Sequence, residues 1–436
     1  MSHLTLNTAG ESHGPAEVCL LAGIPAGLSL STKQVNMDLK RRQQGYGRGG
    51  RMAIEADQVI FLAGVRLGRT LGTPIAMMVE NKDHINWLSQ MSPDLQTASS
   101  DPSEPSHKKT AVTTTKKSTN KPAHSITIPR PGHADLPGAM KYGFADMRNV
   151  LERASARETV ARVAAGSICK ALLAEVGVEI KGRVVAIGEV AAPTSNYIYS
   201  DSVNWAAVEA SSVSCDDAET SQAMCVAIDE ARKNGESLGG VFEVWCWGVC
   251  PGLGGYATYE ERLDGRLMGA LGSIPAIKGV EFGEAFANAK QLGSKVHDPM
   301  CLATYSEEGE AARSNMLGNS VDNFYISRDS NRAAGLEGGM TNGMPIVVRA
   351  AMKPIPTLTT PLPSVDIGTM VNTVAHVERS DVTAVPAACV VGEAVVAFVV
   401  ASAYLEKFAG DSLEQFKVAV GTYERELELR GLWHRQ

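Results

Sequence analysis

Apolar residues return every three or four positions through 145–176, where Leu151, Ala154, Val160, Val163, Ile168 and Leu172 form rows and Gly177 supplies a stop. The spacing predicts one long helix there. It predicts further helices over 33–42, 220–234, 258–271 and 387–432. Runs of apolar and β-branched residues predict strands over 59–64, 74–79, 180–190, 239–249 and 345–352. Alternation along 242–249 places Cys246 and Cys250 on one face of its strand. There is no regular βαβ alternation and no repeat at 20–50 residues. The pattern therefore predicts a mixed α+β core with substantial antiparallel sheet.

One stretch breaks the patterning. Residues 92–126 are Ser, Thr, Lys and Pro with hardly an apolar side chain. Such a segment cannot bury enough surface to offset its ordering entropy. It predicts a flexible polar loop inside the fold, with a disordered insert favoured over an active-site lid. Length alone, 436 residues, suggests two or three domains. The net charge of −7 argues against a general nucleic-acid binder. No run approaches 18 consecutive apolar residues, so no membrane span is expected. No leader pattern stands at the N-terminus. Eight scattered cysteines suit buried thiols in a reducing cytoplasm. No histidine or cysteine pair has the spacing of a metal site, so no metal is expected.

Candidate chemistry gathers in a few separated motifs. Gly10-Glu-Ser-His-Gly14 and Arg130-Pro-Gly-His-Ala-Asp135 each present a histidine, His13 and His133, in a small-residue turn. The other seven histidines lack that context. Residues 41–51 hold four arginines among four glycines. Arginine forks and approachable backbone amides suit an anionic small molecule, with a solvated loop and an RNA-binding loop as alternatives. Nearby arginines would disfavour a protonated histidine, and an arriving phosphate would favour it, which suits general-acid work. Asp381 follows Arg379 and reads as that arginine's partner, a helix cap or an active carboxylate. Residues 335–343 read as a turn or a ligand-hugging loop, and 353–357 as a proline-stiffened segment.

Together the segments GESHG, RRQQGYGR, RPGHADLPGAMKYGFADMRNVLERASARET, GGMTNG, KPIPT and RSDVTAVPAA closely resemble the chorismate synthase family, in order and nearly end to end. The resemblance implies a single large domain over 1–436, an α+β sandwich with helices between antiparallel sheets. It also implies a homotetramer. The implied reaction is an anti-1,4-elimination of phosphate from 5-enolpyruvylshikimate 3-phosphate, giving chorismate, in the shikimate pathway of aromatic amino acid biosynthesis. Reduced FMN would be required without net redox change. NADPH would serve only to reduce that flavin, and the absence of an added reductase domain favours an external flavin reductase. In this reading His13 protonates the leaving phosphate, His133 sits near the flavin, and Asp381 assists removal of a ring proton. Arg42, Arg48, Arg51, Arg130, Arg157 and Arg379 bind the substrate anions. The implied flavin contacts are Arg153, Ala154, Ser155, Asn288, Ala289, Gly338, Lys353, Pro354, Ile355, Pro356, Thr357 and Arg379. A flavin oxidoreductase performing net hydride transfer is the rival within enzymes.

Overall fold

The computed structural model describes residues 4–49, 56–94, 125–193, 200–304, 313–314, 320–321, 324–377 and 380–435. Nearly all of the polar 92–126 stretch lies outside them. Two antiparallel sheets enclose a layer of helices. The first sheet comprises β1 (Thr5–Gly10), β2 (Ala16–Ala22), β3 (Val59–Ala63) and β4 (Ile75–Glu80), in the order β1-β2-β4-β3. The second comprises β5 (Glu179–Ile187), β6 (Val190–Ala191), β7 (Gly240–Trp247), β8 (Ile277–Phe282) and β9 (Ile346–Met352), in the order β8-β9-β7-β5-β6. Its register sets Val244 opposite Gly182 on one side and Val348 on the other.

The two sheets differ in how they use alternation. In β4, Ile75, Met77 and Val79 are buried while Ala76 and Met78 are only half-buried, as one covered face requires. In β7 every residue from Phe242 to Cys246 is buried. The helices cover one face, and a segment carrying Val203, Trp205 and Val208 covers the other. The strand also ends at Trp247, so Cys250 lies beyond it, contrary to the shared strand face the alternation suggested. Both thiols are buried and unpaired. Burial pushes Cys250 up to about 12, which makes it a poor thiolate ligand.

Between the sheets lie α1 (Thr32–Gln43), α4 (Thr159–Ala174), α6 (Leu263–Gly272) and α7 (Val385–Phe408). Before α4 come α2 (Asp135–Tyr142) and α3 (Arg148–Ala154). Helix α5 (Ala218–Lys233) lies between β6 and β7, and α8 (Leu413–Leu429) is the last element. Helix α4 lies along α7 and also touches β1, β2, β4 and β5. Most of it is buried, and its two charges, Arg162 and Lys170, are each ion-paired. Gly166 sets the spacing, because a Cβ there would come within 2.4 Å of the Ala394 Cβ. Each fully buried Val or Leu along this seam contributes roughly 1.5–3 kcal/mol.

Two predicted helices are divided and one is shortened. The 145–176 pattern breaks at Ser155, whose extended backbone (φ −66°, ψ 143°) separates α3 from a short 3-10 turn and α4. The 258–271 helix starts only at Leu263. The 387–432 helix is two, with Ala409 at φ 52° between them. Helix α7 is the most apolar of these helices. Its 24 residues are long and apolar enough to cross a bilayer, yet 94% of the apolar window is buried inside the fold. The single charge in that window, Glu393, receives Arg41 at 2.6 and 2.7 Å, Lys170 at 2.8 Å and the Gly182 amide at 2.9 Å.

Candidate active site

The breaks in secondary structure meet at one cleft of about 940 Å³. The turn after β1, the loop after α1, the Arg130–Ala134 turn, the α3–α4 junction and the segment after β9 all contribute walls. The N-terminal end of α7 closes one side with Ala384, Ala387, Ala388 and Val391. Of the residues picked from sequence, His13, His133, Asp381, Arg42, Arg48, Arg130 and Arg157 all line it.

His13 is held by parts of the chain remote from it. Its amide donates to Glu152 Oε2 at 2.9 Å, and its Nδ1 lies 2.9 and 3.0 Å from the two carboxylate oxygens. The preceding Ser12 amide donates to the Glu152 carbonyl at 3.0 Å. The imidazole packs on Trp87 with centroids 3.9 Å apart, and Trp87 Nε1 donates to Asp83 at 2.9 Å. Arg148 donates to Glu152 Oε1 at 3.0 Å and lies over the Trp87 ring. Burial by itself would raise the Glu152 carboxyl, but the hydrogen bonds from His13 and the charge of Arg148 hold it below its ordinary value. The nearest charge to His13 is thus a carboxylate, where the sequence suggested arginines.

His133 has a local partner. Its Nδ1 lies 2.6 Å from Asp135 Oδ1, two residues away at the start of α2. Arg130 donates to both oxygens of the same carboxylate at 2.9 and 3.1 Å and to Thr357 at 3.2 Å. Burial opposes ionisation of Asp135, yet His133 and Arg130 together hold its carboxyl well below the usual range. The helix N-terminus favours the same charge.

Asp381 accepts from the Gly49 amide at 2.6 Å and from Arg48 at 2.8 Å. Its observed partner is therefore Arg48; Arg379, like Arg51, lies outside the described residues. Arg42 and Arg157 share one buried acid, Asp57, at 2.8 and 2.7 Å. Arg157 also donates to Asn81 Oδ1 at 2.7 Å. Arg42 Nε is buried without a hydrogen-bond partner. Lys353 donates to the Gly132 carbonyl across the cleft. Ala154, Ser155, Ile355, Pro356 and Thr357 are in the lining, and Ser155 Oγ donates to Ser12 Oγ at 3.1 Å.

Other positions lie elsewhere. Arg153 turns back to Thr8 and Gly10. Asn288 and Ala289 sit at a short helix turn, Gly338 in a small hairpin, and Pro354 between two lining residues, none of them in the cleft lining. The hairpin answers the 335–343 motif as a turn. Sequence reasoning missed Asp57, Trp87, Arg148, Glu152 and His376, all of which line or support the cleft. His84 also escaped it, although its Nδ1 donates to the His13 carbonyl at 2.8 Å. Among the described residues no group of histidine, cysteine and acidic side chains could hold a metal.

A family model described as chorismate synthase matches residues 4–405. A chorismate synthase of Desulforudis audaxviator is 50% identical over 408 residues, 94% of each chain. One of Rubrobacter xylanophilus is 48% identical over 423 residues, 97% of each chain. A crystal structure of a chorismate synthase superimposes with a TM-score of 0.72 at 37% identity, covering 98% of both chains.

Proposed function

The chain belongs to the chorismate synthase family, and from that premise we propose the reaction of this lyase. It eliminates phosphate from 5-enolpyruvylshikimate 3-phosphate in the anti-1,4 sense, yielding chorismate and inorganic phosphate for aromatic biosynthesis. One observation carries the reading. The cleft brings Arg42, Arg48, Arg130, Arg148, Arg157 and Lys353 around two histidines and Asp381. A substrate with a phosphate and two carboxylates needs such a cation set, whose field also stabilises charge on the departing group. Arg42 and Arg157, braced on Asp57, and Arg48, braced on Asp381, are the anion-binding positions. His13 delivers a proton to the leaving phosphate. Its Nδ1 is committed to Glu152, which assigns delivery to Nε2. Asp381 assists removal of the ring proton, and His133, fixed by Asp135 and Arg130, sits near the flavin.

The cleft also fits reduced FMN. Its volume accommodates a tricyclic ring beside a small substrate. The small apolar residues of α7 and the Ile355-Pro356 segment offer flat walls, and the buried Arg42 Nε is an open donor. Ala154, Ser155, Lys353, Ile355, Pro356 and Thr357 would hold it. Reduced FMN held there would lend the substrate electron density as phosphate leaves and recover it as the ring proton is lost, so that no net redox change results. Arg153, Asn288, Ala289, Gly338, Pro354, Arg379 and the substrate contact Arg51 complete the proposed sets by motif. A cytoplasmic homotetramer, its flavin kept reduced through NADPH by an external reductase, completes the proposal.

The test is an anaerobic assay with substrate and chemically reduced FMN, following phosphate and chorismate together. Equal release of both, absent with oxidised FMN, is expected. Folded protein that releases neither would overturn the reading, and NADPH consumption in proportion to product would favour the oxidoreductase.

A further inference from the structure

We propose that Glu152 is a positioning residue for His13, fixing both its ring tautomer and its direction. The inference rests on the proposed role of His13 in delivering a proton. An ionised carboxylate only accepts hydrogen bonds, so the imidazole nitrogen facing it must carry the hydrogen. Glu152 is 4% exposed and faces Nδ1 through both oxygens. Nδ1 therefore bears the hydrogen in the neutral ring, and Nε2 is the site that takes up and releases the catalytic proton. The same carboxylate holds the His13 amide, and its own carbonyl holds the Ser12 amide, so the turn and the ring are aligned by one residue.

Arg148, Asp83 and His84 support this arrangement. Arg148 bonds Glu152 Oε1 and helps keep it ionised, so the carboxylate does not itself take the histidine proton. Trp87 covers one face of the imidazole and is fixed by its Nε1 hydrogen bond to Asp83 and by the Arg148 guanidinium over its ring. His84 holds the His13 carbonyl. The ring has little room to turn. When His13 is protonated, the buried Glu152 charge also faces the imidazolium, as the acid of a hydrolase triad does.

Glu152→Gln tests the idea, because an amide of the same shape can donate to Nδ1 and stabilise the opposite tautomer. The probe is solid-state NMR of flavin-free protein labelled with [15N]histidine, with His13 assigned by His13→Gln. Wild type should show Nδ1 protonated in the neutral ring. The variant should show that signal lost or mixed, with an unchanged melting temperature. Turnover should fall by ~10²- to 10⁴-fold with KM within about threefold, the pattern of a misaligned acid–base group. An unchanged tautomer would overturn the assignment of Glu152 whatever turnover does. A changed tautomer with unchanged turnover would instead uphold Glu152 as positioning residue and remove His13 from proton delivery. Glu152→Asp keeps an acceptor-only group and should restore the Nδ1–H tautomer and part of the turnover. An aspartate variant slower than the glutamine variant also counts against the proposal, including where the glutamine variant folds poorly.

Discussion

Arg41 and Arg42 are neighbours on α1, yet they enter different regions of the molecule. Arg41 reaches under α7 to Glu393, where Lys170 and the Gly182 amide complete a closed set of partners. Arg42 turns to the cleft wall and shares Asp57 with Arg157, leaving its Nε without a partner. The chemistry is similar in both places: buried acids held by bidentate or bridging arginines. What differs is saturation. The Glu393 carboxylate is satisfied by the fold itself, whereas Arg42 in the cleft wall retains an unused donor.

The largest effect should come from breaking the closed cluster. Glu393→Ala leaves Arg41 and Lys170 with Asp38 as their remaining shared acid. Removing one partner of a buried pair costs about 3–5 kcal/mol, and Asp38 together with the 38% exposure of the Arg41 side chain places this loss at the lower end of that range. Denaturant unfolding should show that loss, with turnover per folded molecule preserved; a loss under about 1 kcal/mol would break the distinction drawn here. The pH dependence has a definite sign. Glu393 is held at about 2 because Lys170 and Arg41 outweigh its burial. Its stabilisation is therefore complete above its ordinary value of 4.5 and is lost as pH falls towards 2. The alanine variant should lack that component of acid unfolding.

Arg42→Met probes the other side with a smaller effect. The side chain keeps much of its packing volume, and Asp57 retains Arg157. A hydrogen bond to a charged group is worth about 1.5–3 kcal/mol, so kcat/KM should fall ~10- to 100-fold. The midpoint of unfolding should move less than in Glu393→Ala. Should stability fall further than kcat/KM in free-energy terms, Arg42 belongs with Arg41 as a structural residue.

This pair also marks the limit of what the sequence discloses. The α+β class, the antiparallel strands and the two glycine-flanked histidines were legible, because each rests on local periodicity or a compact motif. The His133–Asp135 contact lies within one such motif, although nothing in the motif's pattern pairs the two residues. Glu152 lies 139 residues from His13, and the intervening chain offers no signal that they meet. Asp57 follows the arginine-rich segment with no motif around it to mark it. The break at Ser155 was hidden because apolar rows continue on both sides of it, although that break turns Ala154–Arg157 into the cleft. Likewise, the spacing of Arg41 and Arg42 says only that they diverge by a helical step.

The smallest effect, and the one that sharpens the comparison most, concerns Glu17. It is as buried as Glu393, each being 1% exposed. Burial should raise both carboxyls, and only the partners differ. Glu393 has four bonds of 2.6–2.9 Å, while Glu17 pairs with Arg153 at 3.4 Å, a side chain 42% exposed. Burial therefore prevails at Glu17. Arg153 and Arg157 oppose it, Glu158 and Glu11 reinforce it, and the carboxyl is raised to about 7. The sign is the reverse of that at Glu393. Folding takes up a proton between the ordinary value of 4.5 and about 7, so Glu17 costs stability increasingly as pH rises through that window. Glu17→Gln should be near neutral at pH 5 and stabilising on the order of 1 kcal/mol at pH 8, read from unfolding midpoints across the range. A difference independent of pH would mean that Arg153 neutralises Glu17 as fully as Arg41 and Lys170 neutralise Glu393. The position matters to the cleft, because a Cβ on Gly10, which opens the His13 turn at φ +131°, would stand 2.5 Å from Glu17 Oε2. The turn that carries the histidine is thus packed directly against the least compensated of these acids, whereas the helix that closes the cleft rests on the best compensated one.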